Sequence, residues 1–270
     1  MEIQPNNNFY LYAKDEFLWP SVYSNLSVIV FGNYHHFLGS MLSKTLNKFG
    51  VSVIDGFEAY NSNPERVISL ARKSTLIKWE PIDPYIIPSA LGEVLRGCHI
   101  INNTHFNSAK SNVFFYFRRA FGYDLSVNPS EFSGEMVIKS DMNAAHDGQV
   151  EYGPISDISP NKTYSLLVDN TVDDGRYVRD LRIPVIGGDI PFAYIKYRTI
   201  DMRFQTDSSF AKLVELYEVF SNPELSMIKN FCELIGLEYG ELDILRDRKS
   251  RKIYIVDVNN TPYGPPQQAL

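Results

Sequence analysis

The residues best suited to chemistry lie near the end of the chain, in the stretch EYGELDILRDRKSRKIYIVDVNN. Two apolar, strand-like runs flank a short charged turn. The first run carries Asp243 in its middle, and the second ends on Asp257, one spacer residue and Asn259. A strand that only filled a core would have no use for acids at these positions. Carboxylate and amide oxygens are hard ligands, and the set therefore suits Mg²⁺ or Mn²⁺ rather than zinc.

The turn between the two runs determines whether their acids meet. A hairpin with a three-residue loop centred on Ser250 would pair Asp243 directly with Asp257. Opposed carboxylates repel each other, so a cation is expected between them. Mg²⁺ usually keeps waters and nucleotide phosphates among its ligands, and the spacing therefore predicts a nucleotide triphosphate above this face. The same spacing also fits an exposed hairpin whose acids meet only solvent, Lys252 or Arg246.

Alternation along each run assigns its side chains to faces of the hairpin. On the first run, Asp243 is expected to share a face with Glu241 and Leu245. On the second run, the same rule places four residues on one face: Ile253, Ile255, Asp257 and Asn259. Replacing either acid by asparagine is expected to abolish metal-dependent turnover with only a modest effect on folding.

The first part of the chain has the pattern of a parallel α/β unit. A β-branched run at 27–31 leads through Gly32 into a helical pattern, and VSVID at 51–55 predicts a second buried strand. A further strand is predicted in HIINNT at 99–104. We therefore expect an N-terminal α/β lobe over residues 1–106. His35 and His36, which follow the first strand, either touch substrate or belong to a helix N-terminal turn.

The rest of the chain mixes helical and strand-like patterns. A helix is expected around 108–122, with an apolar stripe of Phe114, Phe117 and Phe121 that belongs to a core. Strands of an antiparallel sheet are predicted at four segments: 134–140, 164–170, 177–188 and 191–200. The triplet Gly187-Gly188-Asp189 predicts a hairpin turn between the last two. A helical pair, 210–220 and 223–236, is expected before the final hairpin.

Composition excludes several classes of protein. The chain has 270 residues, enough for two or three compact lobes, and 44% of them are hydrophobic. A net charge of −6 disfavours nucleic acid as a partner. No apolar run is long enough for a transmembrane helix, and the N-terminus lacks a secretory pattern. Cys98 and Cys232 are far apart and fit neither a disulfide framework nor a zinc motif, which favours the cytoplasm.

The terminal stretch GLEYGELDILRDRKSRKIYIVDVNNTPYGPP resembles the metal-binding hairpin of the ATP-grasp superfamily. That hairpin has Gly-hydrophobic-x-Tyr/Phe-Gly, an acid in the first strand, acid-hydrophobic-Asn, and a Pro/Gly-rich turn. The resemblance assigns metal ligation to Asp243, Asp257 and Asn259, with Asp257 where the family usually has Glu. It spans residues 27–266 and implies ATP and Mg²⁺ (or Mn²⁺) as cofactors.

The resemblance also implies a fold of mixed α/β and α+β class. A parallel α/β lobe would be followed by two α+β subdomains whose antiparallel sheets sandwich ATP. The expected boundaries are 1–106 for the N-terminal lobe, 107–175 for the central subdomain with its phosphate loop, and 176–270 for the metal-binding subdomain.

By order along the chain, the resemblance implies nucleotide-binding roles for seven residues: Lys110, Lys139, His146, Gly148, Asp169, Asn170 and Asp174. It assigns Arg182 and Arg203 to the phosphates and the anionic intermediate. Plainer alternatives remain open. Lys110 also fits an ordinary helix-surface lysine, Lys139 a solvated strand residue and His146 a hydrogen-bonded loop histidine. The arginines, Arg198 included, also fit ion pairs with Asp180 or Asp201 on a solvated sheet face.

Relatives of this type convert a carboxylate to an acyl-phosphate with ATP and then let an amine or thiol attack it. No protein nucleophile is needed, because metals and cations stabilise the transferred phosphoryl group. The resemblance therefore implies a ligase with small-molecule carboxylate and amine substrates, and neither a nucleic acid nor a membrane as partner. The alternatives are a phosphotransferase of kinase type and a nucleotide-binding module without catalysis. The oligomeric state stays open, a homodimer included.

Overall fold

In this computed structural model, eight stretches of the chain are described: residue 23, 25–80, 89–103, 107–143, residues 145 and 147–172, 175–205 and 209–265. The predicted site residues His146 and Asp174 lie outside them. Within these stretches, no helix combines the length and the apolar character needed to span a bilayer.

The N-terminal lobe is built on a parallel sheet. Its strands are β1 (Ser27–Gly32), β2 (Ser52–Asp55), β3 (Thr75–Trp79) and β4 (Ile100–Ile101). Its helices are α1 (Tyr34–Gly39), α2 (Met41–Lys48), α3 (Gly56–Ser62), α4 (Pro64–Ala71) and α5 (Ser89–Val94). The strand order is β2-β1-β3-β4, and all three pairings are parallel. The predicted parallel α/β unit is therefore confirmed.

Two predictions in this lobe need correction. The strand predicted as buried at 51–55 lies at the edge of the sheet, where Ser52 is exposed and the other strand residues are half-buried. The strand predicted at 99–104 contains only two residues, Ile100–Ile101. Asn102, which follows, has φ +62°, a left-handed conformation that ends the extended run.

A three-stranded antiparallel sheet follows the lobe. Its strands are β5 (Gly134–Ser140), β6 (Gln149–Gly153) and β7 (Lys162–Leu166), in the order β6-β5-β7, and helix α6 (Lys110–Phe121) precedes them. The prediction for 134–140 is confirmed. The strand predicted at 164–170 ends instead at Leu166, because the backbone beyond it turns to other partners. The carbonyl of Asp169 accepts from the amide of Arg248, and that of Asn170 accepts from the amide of Arg179.

The last part of the chain forms a larger antiparallel sheet. Its strands are β8 (Thr171–Val172), β9 (Tyr177–Ile186), β10 (Ala193–Thr199), β11 (Phe210–Val214), β12 (Tyr239–Arg246) and β13 (Ile253–Asn259). They lie in the order β11-β10-β9-β12-β13, and β8 pairs with β9. Gly187 and Gly188 have φ +60° and +84°, and they form the predicted turn between β9 and β10.

The helix predicted at 210–220, the first of the two before the final hairpin, is wrong over its first half. Residues 210–214 form strand β11, which pairs antiparallel with β10, and only Leu216–Val219 (α7) are helical. A short apolar run fits either period, and here the exposed edge of β10 decides the outcome. The second helix, α8 (Asn222–Ile235), is confirmed. It starts with a capping box of Ser221 and Glu224 and ends at Gly236, whose φ is +77°.

The main core lies between the large sheet and helices α6 and α8. It includes Phe114, Phe117 and Phe121, so the predicted aromatic stripe belongs to a core. Helix α6 packs against α8 and β13, although the predicted boundary assigns it to the central subdomain. The boundaries at 106/107 and 175/176 stay predictions.

Asn102 joins the N-terminal lobe to the start of β12. Its Nδ2 donates to the carbonyl of Tyr239 at 2.6 Å, and its Oδ1 accepts from the amides of Glu238 and Tyr239 at 3.0 Å. The rings of Trp79 and Tyr239 lie 5.8 Å apart between their centroids. These contacts fix the carboxyl end of the parallel sheet against the strand that carries Asp243.

Candidate active site

Strands β9, β10 and β12 separate apolar side chains from polar ones, because successive residues point to opposite faces of a sheet. The face under α6 and α8 is apolar and carries Leu181, Ile183, Val185, Ile195, Leu242 and Ile244. The opposite face is polar and carries Asp180, Arg182, Tyr194, Lys196, Arg198, Glu241 and Asp243. One cross-strand row of this polar face contains Tyr194, Arg182 and Asp243. The candidate site is built on the polar face.

Asp243 lies directly opposite Asp257, as the hairpin pattern predicts. The register shifts immediately afterwards, because Ile244 pairs with Ile255 and leaves Val256 as an extra residue in β13. This β-bulge reverses the faces on the two sides of it. Ile255 therefore points to the core with Ile244, while Asp257 points to the polar face with Asp243.

The bulge overturns two details of the predicted hairpin. Asp257 and Asn259 do not share a face with Ile253 and Ile255. The connection also runs over 247–252, so it is longer than the predicted three-residue loop. The predicted sharing of one face by Asp243, Glu241 and Leu245 follows from the regular register of β12 with β9 and is confirmed.

Both acids are half-buried and incompletely hydrogen-bonded. Asp243 is 16% exposed, and one oxygen of each acid, Oδ1, is buried without a hydrogen-bond partner among the described residues. Burial raises the pKa of Asp257, an effect that the charge of Lys110 opposes. The alternative of an exposed hairpin is therefore wrong. Arg246 instead pairs with Glu224 on α8, at 2.6 Å.

Arg182 is the cation that stands beside Asp243. Its Nη2 lies 2.5 Å from Asp243 Oδ2, and its Nη1 lies 3.3 Å from Glu241 Oε2. Tyr194 donates its hydroxyl to the same oxygen of Glu241 at 2.9 Å. Burial lowers the pKa of Arg182, but the surrounding negative groups, Asp243 foremost, together outweigh that effect and raise the guanidinium pKa. Arg182 is thus held by two carboxylates, and the expected pairing with Asp180 or Asp201 on a solvated face is wrong.

A second polar chain runs along the same face. Arg198 Nη1 donates to Asp180 Oδ2, Asn170 Nδ2 donates to Asp180 Oδ1 at 3.0 Å, and Arg203 Nη2 donates to Asn170 Oδ1 at 3.1 Å. Arg198 does pair with Asp180, as the plainer alternative proposed, but the pair is buried rather than solvated. Arg203 ends this hydrogen-bonded chain at the wall of the cavity. Asn170 and Arg203, both predicted as site residues, are therefore joined directly.

The two predicted lysines approach from the smaller sheet and from α6. Lys110 is only 5% exposed, and its Nζ donates to the carbonyl of Met142 at 2.8 Å. Burial lowers the pKa of Lys110, and Asp257 opposes that shift. The surface-lysine alternative is therefore wrong. Lys139 lines the cavity, and its Nζ lies 5.5 Å from the ring centroid of Phe204.

A cavity between the two antiparallel sheets collects most of these groups. Its apolar side is formed by Phe114, Val137, Leu166, Leu167, Val168, Leu245 and Val256. Its charged side is formed by Lys139, Asp180, Arg182, Arg198, Arg203, Asp243 and Asp257. An apolar slot beside clustered cations and acids matches the two ends of a nucleotide, a flat base and a string of phosphates.

Two predicted nucleotide-binding residues are placed differently from the expectation. The amide of Asp169 donates to Asp247 at 3.3 Å and its carbonyl accepts from Arg248, so the final turn already uses its backbone. Asp169 itself is exposed and binds Thr171 at 2.6 Å. Gly148 packs so closely that an added Cβ would lie 2.8 Å from the ring of Phe204. Its lack of a side chain therefore serves packing beside Lys139.

Lys196 is the residue of this face that sequence reasoning missed. It lies directly opposite Asp180, and burial lowers its pKa to about 8, with the charge of Arg182 as the next cause. The only available signal was alternation along β10, which places Tyr194, Lys196 and Arg198 on one face.

The donor set fits a divalent cation. Asp243 and Asp257 each keep one unpartnered buried oxygen, while Asn259 Oδ1 accepts from the amide of Thr261 at 3.0 Å and retains a second lone pair. Among the residues that the structure describes, no three Asp, Glu, His or Cys side chains converge on one point. A site with few protein oxygens suits Mg²⁺, which keeps waters and phosphates as its other ligands.

The architecture belongs to a known class, because solved ATP-grasp ligases match it over most of the chain. These matches confirm the predicted ATP-grasp fold, with its parallel sheet and antiparallel sheets. Sequence comparison adds nothing further, since no family model and no curated protein matches the chain.

Three solved structures illustrate the likeness. ATP-grasp ligase PsnB with its minimal precursor has a TM-score of 0.53 at 14% identity, over 88% of this chain and 91% of PsnB. The D-alanine–D-alanine ligase of Bacillus anthracis with ATP has a TM-score of 0.53 at 9% identity, over 87% and 86%. Carboxyaminoimidazole ribonucleotide synthase of Aspergillus clavatus with ATP has a TM-score of 0.52 at 12% identity, over 88% and 70%.

Proposed function

We propose that this chain is an ATP- and Mg²⁺-dependent ligase. It activates a carboxylate as an acyl-phosphate, which an amine or a thiol then attacks. The observation that carries the proposal is the directly opposed pair of Asp243 and Asp257, each with an unpartnered buried oxygen, in the lining of a cavity that also carries apolar side chains. Two half-buried acids in that arrangement are stable together only with positive charge between them.

The residues divide into three tasks. Asp243, Asp257 and Asn259 would hold Mg²⁺, which when bound neutralises phosphate oxygens and orients them. Lys139 and Arg203, on the cavity wall, bind phosphate oxygens and the anionic intermediate. Arg182 is occupied by two carboxylates, so its task is to hold Asp243 in position.

Lys110 and Asn170 support these groups without binding the phosphates themselves. The buried ammonium of Lys110 lies in the field of Asp257 and offsets its charge, while Asn170 holds Arg203 through a 3.1 Å hydrogen bond. His146, Gly148 and Asp174 keep their proposed nucleotide-binding roles. Asp169 keeps its role through its exposed carboxylate, because its backbone is already bonded to the final turn. The attacking group comes from the substrate, so the protein needs to supply no nucleophile.

The substrates are proposed as a carboxylic acid and an amine or thiol of small size. Among the similar structures, the D-alanine–D-alanine ligase joins amino acids by its name, and PsnB was solved with a precursor peptide. Free amino acids and short peptides are therefore the first candidates.

The lobes are proposed to divide at 106/107 and 175/176. The free thiols Cys98 and Cys232 support a cytoplasmic location.

The test is release of ADP and phosphate that requires both a carboxylic acid and an amine. Purified protein is incubated with ATP, Mg²⁺ and pairs of candidates, and product is followed by mass spectrometry. The Asp257→Asn variant is expected to lose turnover, while Asp157→Asn, an exposed acid elsewhere, keeps it. A phosphorylated acceptor without ligated product would mean a kinase. ATP binding without turnover for any pair would favour a binding module.

A further inference from the structure

The turn between β12 and β13 carries positive charge that the proposed chemistry does not use. Its sequence RDRKSRK, residues 246–252, holds five of the chain's 26 lysines and arginines and one acid, in a protein whose net charge is −6. Four of these cations are exposed: Arg248, Lys249, Arg251 and Lys252. Salt screens charges beyond about 8 Å at physiological ionic strength, so an approaching partner meets the charge of this turn rather than that of the whole chain.

The acids next to the turn are already bonded. Asp247 Oδ1 accepts from the amide and the hydroxyl of Ser250 at 2.6 and 2.7 Å, and Glu224 pairs with Arg246 at 2.6 Å. The four exposed cations have no carboxylate within 4.0 Å among the residues that the structure describes. These internal bonds also hold the turn in one shape, so an anionic partner loses little free energy in ordering it.

A cavity lies beside this turn, between helix α6 and strand β7. Its volume is about 350 Å³, which is in the range of ligand pockets. Four apolar side chains and two charged ones line it: Phe114, Phe115, Val127, Tyr164, Arg118 and Asp124. Phe115 is 56% exposed, so part of the apolar wall is open to solvent. Phe114 also lines the candidate nucleotide cavity, and this second cavity therefore lies one ring away from it.

Tyr123 joins the cavity to the turn. Lys252 Nζ lies 4.7 Å from the ring centroid of Tyr123, whose hydroxyl donates to the carbonyl of Ile253 at 2.6 Å. The next residue, Asp124, lines the cavity and lies 3.4 Å from Arg118 Nε, and the Arg118 side chain is 70% exposed. Cavity and turn thus form one surface, which is called the basic docking surface here and consists of Phe115, Arg118, Arg248, Lys249, Arg251 and Lys252.

We propose that the basic docking surface binds an acidic segment of a partner protein that carries one bulky apolar side chain. The apolar side chain enters the cavity beside Phe115, and the carboxylates around it meet the unpaired cations of the turn. Asp124 in the cavity lining repels a phosphate backbone, whose charges are closely and evenly spaced, whereas a peptide can place a neutral residue there. This binding needs no ATP and does not depend on the ligase proposal.

Fluorescence anisotropy with labelled synthetic peptides and the full chain, without nucleotide, tests the proposal. The peptide GDEDFDEDG is expected to bind, and its analogue GDEDADEDG to bind at least about tenfold more weakly because it lacks the apolar side chain. The basic peptide GKRKFKRKG is expected not to bind. Raising NaCl from about 50 to about 500 mM is expected to weaken binding of the acidic peptide, since salt screens exposed charges.

Charge reversal tests the turn. Lys249→Glu combined with Arg251→Glu is expected to weaken binding of GDEDFDEDG at least about tenfold, because two attractions become repulsions. Arg72→Glu combined with Lys73→Glu is the matched control. It makes the same charge change at exposed positions of the N-terminal lobe and is expected to leave binding unchanged.

Removal of a ring tests the cavity. Phe115→Ala is expected to reduce the advantage of GDEDFDEDG over GDEDADEDG at least about threefold. Tyr152→Ala removes another exposed ring, on β6, and is expected to leave that advantage unchanged. Both side chains are largely exposed, so neither change is expected to disturb folding.

Four results would overturn the proposal. They are no binding of the acidic peptide at low salt, equal binding of the two acidic peptides, equal losses in the two charge-reversed pairs, and equal effects of Phe115→Ala and Tyr152→Ala. A decamer of uridylic acid is the remaining probe, and it is expected to bind more weakly than GDEDFDEDG. If it bound more tightly, the surface would be one for nucleic acid and the proposal of a peptide partner would be wrong.

Discussion

Replacing the two opposed acids one at a time is expected to give opposite effects on the stability of the protein without metal. Asp243 holds Arg182 at 2.5 Å, whereas Asp257 has a buried oxygen with no partner and no ion pair within 4.0 Å among the described residues. The sequence alone led to an expectation of modest effects for both. The structure revises that expectation for Asp243→Asn, because this change leaves the half-buried Arg182 with Glu241 as its remaining ion-pair partner among the described residues.

The magnitudes follow from these contacts. Removing one partner of a buried ion pair costs about 3–5 kcal/mol, and the remaining amide oxygen recovers part of it, so we expect a loss of about 2–3 kcal/mol for Asp243→Asn. Asp257→Asn relieves like-charge repulsion, worth up to about 1 kcal/mol. Because burial raises the pKa of Asp257 in the folded protein, its contribution favours folding at acid pH and is lost as pH rises through that pKa. The relief is therefore present above that pKa.

Thermal unfolding at pH 7 in EDTA, without nucleotide, measures the difference. At about 2–4 °C per kcal/mol for a chain of this size, the midpoint of Asp243→Asn is expected to fall by roughly 4–12 °C. That of Asp257→Asn is expected to stay or to rise by up to about 4 °C. Equal losses in both variants would refute the reasoning, because they would mean that Asp257 is also a partner in a structural ion pair.

Three further outcomes are expected. Lys139→Ala raises the KM for ATP at least about tenfold without lowering the unfolding midpoint, because among the described residues its ammonium contacts only the ring of Phe204. An unchanged KM counts against its phosphate role. Lys196→Met raises the free energy of unfolding at pH 7 by up to about 3 kcal/mol, because burial lowers the pKa of Lys196 in the folded protein. The gain disappears as pH rises from about 8 to 10.5. Urea titrations across that range test this, and a difference between variant and parent that does not change with pH would contradict it. Asn102→Ala lowers the free energy of unfolding by about 2–4 kcal/mol, because three inter-lobe hydrogen bonds are lost, while Asn103→Ala, at an exposed position, lowers it little. Equal losses of stability on thermal unfolding would contradict this.

The opposed acids could be predicted from sequence because they depend on local rules. A charged turn between two apolar runs fixes the approximate register, and like charges in that register demand a cation. The β-bulge after Asp243 could not be predicted, since it arises where the strand must present Ile255 to the core and Asp257 to the cavity. Local alternation, applied without the bulge, put Asp257 on the wrong face.

Other site features depend on contacts between distant segments. Lys110 looked like a surface lysine because its helix pattern is all that the sequence shows, and its burial comes from the loop that carries Met142. The strand at 210–214 took its structure from the edge of β10, which outweighs the helical spacing. The backbone of Asp169 is used by the turn at Arg248, more than seventy residues later in the chain.

A crystal structure with Mg²⁺ and a non-hydrolysable ATP analogue tests the central claim most directly. The prediction is a metal ion about 2.1 Å from carboxylate oxygens of both Asp243 and Asp257, with the base in the apolar slot beside Val168 and Val256. Nucleotide bound elsewhere, or bound with no metal between the two acids, would contradict it.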